Sequence, residues 1–378
     1  MICYVPAENP VTEPRAALTP VTAKVLVQLG LTVRFAPGLG TRSGYPDIDY
    51  MAAGAVPASD PAEELAIADL VLRVRKPTSA DVRRMKRGAV TLGFLDPFVE
   101  RDLLASFAKA GVAAVSLEMI PRTTLAQKMD ALSSQASLAG YAAVLQAAGR
   151  LRKILPMMMT PAGTIMPSRV FVLGAGVAGL QAIATAKRLG ARVEAFDTRP
   201  AVEEQVKSLG AKFVKIDLGA ASGQTAGGYA QALTPEQIAR QQAGMTKLCA
   251  QADIVICTAK FFGRAAPRLI TTAMLDAMAP GSVVVDLAVE NGGNVEGSVP
   301  GREVVTARGV IILGDPCPEG TTAHHATQVL AANFAAWVTH FWDVKSGALR
   351  LDPPDEILRG CLLTRDGAFV HPQFKPAA

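Results

Sequence analysis

The stretch from Arg169 to Asp197 reads RVFVLGAGVAGLQAIATAKRLGARVEAFD. Residues 170–173 form a short β-branched apolar run that predicts a buried strand, and residues 177–189 carry helical periodicity that stops at Gly190. Between them Gly174, Gly176 and Gly179 supply G-x-G-x-x-G, and residues 192–196 predict a second strand closing on Asp197. Each feature has a physical task. Gly174 permits the tight turn, Gly176 lets the backbone approach a pyrophosphate, and Gly179 allows the helix to pack closely on the strand. The helix N-terminus offers free N–H groups and the positive end of its dipole to phosphates. Asp197 is placed to accept hydrogen bonds from an adenine ribose. With 33 glycines in the chain, the glycine spacing alone carries little weight. Strand, turn, helix, strand and acid in this order predict a dinucleotide site rather than an ordinary βαβ turn. The acid favours NAD over NADP, because a carboxylate there repels a 2′-phosphate, while Arg199 keeps NADP open as the alternative.

At 378 residues the chain is long for one domain, and two of ordinary size are expected. Half of the residues are apolar, yet no uninterrupted apolar run approaches the about 18 residues of a membrane span, so a chain soluble by itself is expected. The opening MICYVPAENP lacks the basic region and apolar core of a secretory signal. Cys3, Cys249, Cys257, Cys317 and Cys361 are scattered, without C-x-x-C spacing. That fits reduced thiols in the cytoplasm, and neither a disulfide frame nor a metal site. The net charge of +5 is modest and the basic residues do not cluster with aromatics, which argues against nucleic acid as a partner.

Working outward, residues 1–135 alternate short apolar runs (2–5, 32–35, 70–74, 90–93, 113–117) with helical segments such as 19–29. Residues 130–155 then read as one long Ala- and Leu-rich helix, interrupted only by Gly140 and expected to cross between lobes. After Asp197 the alternation resumes, with helices at 201–209, 235–250 and 271–278 and strands at 212–216, 254–257 and 282–287. Strands alternating with helices mean parallel pairing. The expected fold is α/β: two doubly wound Rossmann-like domains with parallel sheets, separated by a cleft and joined by long helices. Residues 314–320, with Pro316 and Pro318, look like a return linker, and the apolar helix at 323–341 then needs the first unit as its partner surface. The expected domains are 1–135 plus 312–378, discontinuous, and 136–311. The alternative is a C-terminal appendage on the second unit.

Ligands of open α/β sheets sit beyond the carboxyl ends of the strands, so the loops there are candidates for chemistry. One is residues 119–141, MIPRTTLAQKMDALSSQASLAGY, which sets Arg122, Gln127, Asp130, Ser133, Ser134 and Gln135 before the long helix. The other is residues 286–294, DLAVENGGN. From residue types alone, Arg122 and Asp130 read first as an exposed ion pair worth about 0–1 kcal/mol, and Ser133 as a cap of the following helix. Asp286 reads as a buttress of the Gly292–Gly293 turn. Glu290 is either a wall of the nucleotide pocket or an exposed carboxylate. His324 and His325, adjacent on a helix, diverge by about 100 degrees and read as helix surface rather than metal ligands. The Met157–Met159 run reads as apolar packing.

RTTLAQKMDALSSQASLAGY, LPMMMTPAGT, GAGVAGLQAIATAKRLGA, TAGGYA, PGSVVVDLAVENGGN and CLLTRDGAFVHP together resemble the NAD(H)-binding α-subunit component of proton-translocating nicotinamide nucleotide transhydrogenases, a family related to alanine dehydrogenase. The resemblance spans essentially the whole chain and is weakest at residues 37–110 and 315–350. It implies a homodimer that carries NAD(H). A partner β component carries NADP(H), hydride passes directly between the two nicotinamides, and a membrane-spanning component conducts protons. The chain would then be cytoplasmic, peripheral on the inner face of the membrane through its partners.

Carried onto matching positions, the resemblance makes Ser133 hold the carboxamide, Arg122 and Asp130 orient the ring, and Gln127 reach towards the other nucleotide. Tyr229 would lie on a loop closing over the nucleotide. The residues assigned to cofactor binding are Gly174, Gly176, Val177, Ala178, Gly179, Asp197, Thr198, Arg199, Tyr229, Thr258, Ala259, Glu290 and Asn294. Two departures stand out: Lys260-Phe261-Phe262-Gly263, where the family has a Leu-Ile-Pro-Gly-like turn, and the segment 315–328.

Two other functions compete. An amino-acid dehydrogenase needs cationic anchors, for which Arg15 and Arg75 or Lys76 are available, and an acid/base group. The histidine expected of that type is missing from GFLDPF at 93–98. A catalytically silent NAD-binding sensor is the other, and the intact Arg122, Gln127, Asp130 and Ser133 argue against it.

Overall fold

The computed structural model describes residues 1–217, 219, 233–261, 263–352 and 355–375. The chain divides into two compact units, Met1–Gln135 with Thr322–Ala378 and Ala136–Thr321.

In the first unit, runs such as LVL at Leu70–Leu72 and AAVS at Ala113–Ser116 are buried at every position, as strands covered on both faces must be. Among the described residues they form an eight-stranded sheet. Ile2–Val5 pairs in parallel with Thr32–Phe35 on one side and Leu70–Leu72 on the other; Val90–Gly93 and Ala113–Ser116 continue the parallel order. Leu362–Arg365 then adds antiparallel to Ala113–Ser116, and Ala368–Phe369 closes that edge. The helix Ala323–Phe341 contributes Leu330, Phe334, Trp337, Val338 and Phe341 to the same core as Tyr4, Leu26 and Leu70. At Pro20–Gln28 the helix start is encoded by a Thr19/Thr22 capping box followed by proline in the first turn.

The second unit holds a seven-stranded sheet among the described residues. From one edge, Lys212–Phe213, Arg192–Phe196, Arg169–Leu173, Ile254–Cys257, Val283–Asp286 and Ile311–Gly314 run parallel, and Arg302–Val305 closes the other edge antiparallel. The last two strands fall in a stretch whose sequence predicts none. Ile311–Gly314 pairs with Val283–Asp286, so the second unit runs on to Thr321 instead of ending at 311. The long helix is Ala131–Arg150, shorter than expected, with Leu151 to Leu155 lying outside it. Its residues Ala143, Val144 and Ala147 share a core with Val170, Val172, Ala182 and Ile183. Gly140, an apparent interruption of that helix in the sequence, is required: a Cβ there would run into the backbone of Ala178, at the start of the dinucleotide helix.

Candidate functional site

The glycine turn joins the strand Arg169–Leu173 to the helix Val177–Arg188. Gly174 has φ +93°, a left-handed conformation that favours glycine. Gly179 is buried in the first turn of the helix, and a Cβ on it would strike the carbonyl of Gly174. Gly176 differs. It is the N-cap, its φ is an ordinary −81°, and a Cβ there would meet only Arg199 Nη2 at 3.9 Å. Gly174 and Gly179 thus serve the fold, while Gly176 leaves room for something to approach. The dinucleotide expected here fits that cradle. Val177 is 40% exposed on the same turn and Ala178 is half-buried.

Asp197 ends the second strand and turns back over this loop. Its Oδ2 accepts the Ala175 N–H at 2.7 Å. Arg199 meets the same carboxylate with its backbone N–H and Nε on Oδ1, both at 2.9 Å, and with Nη2 on Oδ2 at 2.7 Å. Thr198, between them, is half-buried. On the neighbouring strand end, the Thr258 hydroxyl lies 3.1 Å from the Leu173 carbonyl and 3.0 Å from that of Gly174, locking the turn from beneath.

The loop after Val283–Asp286 is held from inside. Asp286, fully buried, accepts N–H groups from Ala288, Asn294 and Val295 at 3.0, 3.1 and 3.1 Å, which makes it the expected buttress. Asn294 departs from its expected role. Its side chain donates to the carbonyls of Ala259 and Pro267 at 2.9 and 2.8 Å and accepts the Ala259 N–H at 3.1 Å, with no exposed surface. That leaves no face for a nucleotide; Asn294 positions Ala259. Asn294→Ala should cost about 2–3 kcal/mol by leaving buried backbone groups unpaired, read as a lower urea midpoint. Unchanged stability with lost nucleotide affinity would instead put the amide on the ligand. Glu290 is exposed. Tyr229 and Phe262 lie outside the described residues.

In the first unit the structure brings Asp130 and Ser133 together. Asp130 Oδ1 accepts the Ser133 N–H at 2.9 Å and Oδ2 accepts its hydroxyl at 2.6 Å. The acid caps the helix Ala131–Arg150 and the serine is what it caps, the reverse of the simple reading. Arg122 and Gln127 are exposed on the preceding loop. Asn333 anchors that loop to the helix Ala323–Phe341: its Nδ2 donates to the Lys128 carbonyl at 2.8 Å and its Oδ1 accepts the Ser134 hydroxyl at 2.7 Å. The sequence holds no signal for Asn333, which lies far along the chain.

Arg15 and Arg75 converge on Glu13. Arg15 binds both of its carboxylate oxygens at 2.7 Å, and Arg75 Nε binds Oε2 at 2.7 Å. Burial alone would raise the Glu13 carboxyl, but the hydrogen bond from Arg15 and the two positive charges outweigh it and hold it below the usual range. Asp96 occupies the GFLDPF turn with φ +50° and donates its N–H to Glu118 at 2.7 Å. His324 lies with Nδ1 2.8 Å from the Ser43 carbonyl and stacks on Tyr45. All five thiols are buried, and desolvation pushes those of Cys3, Cys249 and Cys361 up to about 12.

Strand, glycine turn, helix and terminal acid at the carboxyl edge of a parallel sheet define a Rossmann-like α/β protein. Comparison with known proteins makes this specific. Descriptions of the alanine dehydrogenase/PNT family match residues 4–139 as its N-terminal domain and 143–372 as its C-terminal domain. An NAD(P) transhydrogenase subunit alpha chain of Rhodospirillum rubrum is 43% identical over 374 residues, 97% of either chain. The crystal structure of a transhydrogenase from Sinorhizobium meliloti matches with a TM-score of 0.85 at 40% identity, covering 99% of this chain and 100% of that one. An alanine dehydrogenase of Halomonas elongata is 31% identical over 332 residues, 86% of this chain and 83% of its own. The chain belongs to the alanine dehydrogenase/PNT family, on its transhydrogenase alpha-subunit branch.

Proposed function

We propose that this chain is the NAD(H)-binding component of a proton-translocating NAD(P) transhydrogenase. The observation that carries the proposal is the glycine turn with Asp197, intact in a chain that matches transhydrogenase alpha subunits along nearly its whole length. NADH, when bound, supplies the hydride that reduces NADP⁺ held by a partner component, leaving NAD⁺ and NADPH. Such a transfer needs no proton donor from the protein, so the chain's work is holding, orienting and excluding water. Gly174, Gly176, Val177, Ala178 and Gly179 hold the pyrophosphate. Asp197 receives the adenine ribose, with Thr198 and Arg199 beside it. Thr258, Ala259 and Glu290 form the wall beyond, and Tyr229 closes over it. Arg122, Asp130 and Ser133 orient the nicotinamide, and Gln127 reaches towards the partner's nucleotide.

No helix of the described residues is long and apolar enough to cross a membrane. Proton movement therefore belongs, in this proposal, to a membrane-spanning partner that holds the chain on the cytoplasmic face. A homodimer is supported by the antiparallel hairpin of Met158–Thr160 and Gly163–Ile165, which is exposed throughout. Met157, Met159 and Met166 there are 58%, 78% and 58% exposed, contrary to the packing role expected of the Met run. Exposed apolar side chains on an unpaired ribbon are what a second copy would cover.

The alanine dehydrogenase reading needs cationic groups available to a substrate carboxylate. Glu13 already engages Arg15 and Arg75, and the 93–98 turn presents Asp96 instead of a histidine. Both observations favour the transhydrogenase. The deciding experiment is stopped-flow hydride transfer from NADH to an NADP⁺ analogue, with the chain mixed with an NADP(H)-binding transhydrogenase component, its mass in solution measured on the same sample. Rapid transfer only with both components, from a dimer, is the expected result. Alanine-dependent NAD⁺ reduction by the chain alone would overturn it in favour of the dehydrogenase, and tight NADH binding without either activity in favour of a sensor.

A further inference from the structure

An ionised carboxylate offers about four acceptor directions, and at Asp197 all are engaged. The backbone N–H and Nε of Arg199 meet Oδ1, while Nη2 of Arg199 and the Ala175 N–H meet Oδ2. The Asp197 side chain is 5% exposed and that of Arg199 16%. A ribose hydroxyl can therefore donate to Asp197 only by displacing a donor. Two of the donors are backbone groups fixed by the turn; the guanidinium is the one on a movable side chain. It also stands beside the glycine loop, with Nη2 3.9 Å from where a Cβ of Gly176 would lie.

We propose that Arg199 sets how sharply this site distinguishes a 2′-hydroxyl from a 2′-phosphate nucleotide. The proposal rests on the dinucleotide reading above. Arg199 competes with the ribose of NAD(H) for Asp197, and so weakens the nucleotide the acid favours. It also neutralises the charge by which Asp197 repels a 2′-phosphate, and once displaced offers that phosphate a planar pair of donors. The acid selects; the arginine blunts the selection. In the sequence the two are simply neighbouring charges.

The test is titration of the full-length chain with NADH, NADPH, AMP and 2′-AMP at fixed salt, for wild type, Arg199→Met, Arg199→Lys and Asp197→Asn. Arg199→Met should widen the ratio of the NADPH to the NADH dissociation constant by about tenfold or more, with AMP tighter and 2′-AMP weaker. Arg199→Lys should fall between, since it keeps the charge and loses the fork. Asp197→Asn should narrow the ratio. An unchanged or narrowed ratio in Arg199→Met, with native circular dichroism, overturns the proposal. Failure of the wild type to bind any of the four removes the dinucleotide reading itself, a result distinct from an unchanged ratio.

Discussion

Gly176→Val should abolish NADH binding, weakening it at least about 100-fold, while costing no more than about 1 kcal/mol of stability. Gly179→Val should cost about 3 kcal/mol or more. The two substitutions add the same atoms three residues apart, and their surroundings separate them. Gly176 has ordinary dihedrals and open space around the built Cβ, so valine is accommodated by the fold at the cost of a poorer N-cap. Its branched side chain would fill the approach through which a pyrophosphate meets the helix N-terminus. At Gly179 the added carbon collides with the Gly174 carbonyl, and the turn must break to admit it. Nucleotide titration beside chemical denaturation separates the outcomes. A Gly176→Val protein that binds NADH within about threefold of wild type would remove the phosphate loop from this turn.

That difference also shows what is readable in the sequence. The spacing of Gly174, Gly176 and Gly179 announces the turn, and the structure divides the three into two that the backbone needs and one that leaves space. Long or fully apolar segments are legible because burial on both faces writes itself into composition, as at Ile254–Cys257 and Val283–Asp286. Arg302–Val305 is not, being short, mixed in polarity and exposed at the sheet edge. Nor is Leu362–Arg365, which exists as a strand because Ala113–Ser116 offers it an edge. The same limit governs the candidate site. Asp130 with Ser133, and Asp197 with Arg199, are sequence neighbours, so their pairing is at least suggested by position. Asn294 with Ala259 and Pro267, or Asn333 with Lys128, are joined only by folding. Residue type suggests a ligand contact for Asn294; its complete burial gives it to the loops.

Asp130→Asn should slow hydride transfer by about 100-fold while changing the NADH dissociation constant by less than about threefold. Asparagine caps a helix about as well as aspartate, so the bond to the Ser133 N–H survives and the helix Ala131–Arg150 keeps its start. What the substitution removes is the negative charge and the strong acceptance of the Ser133 hydroxyl at 2.6 Å. If that pair orients a nicotinamide, its loss misplaces the reacting carbon without weakening the contacts made by the glycine loop in the other unit. The rate falls and the affinity stays. Asp130→Ala provides the structural control: it removes the cap as well, at about 1 kcal/mol, and should lower stability where Asp130→Asn does not. Gln127→Ala, on an exposed side chain, should resemble Asp130→Asn in kinetics and wild type in stability. Single-turnover transfer with a saturating partner component measures the step directly, and NADH fluorescence titration measures binding. Equal losses of rate and affinity in Asp130→Asn would make the acid an anchor, and an unchanged rate would leave it as a helix cap alone.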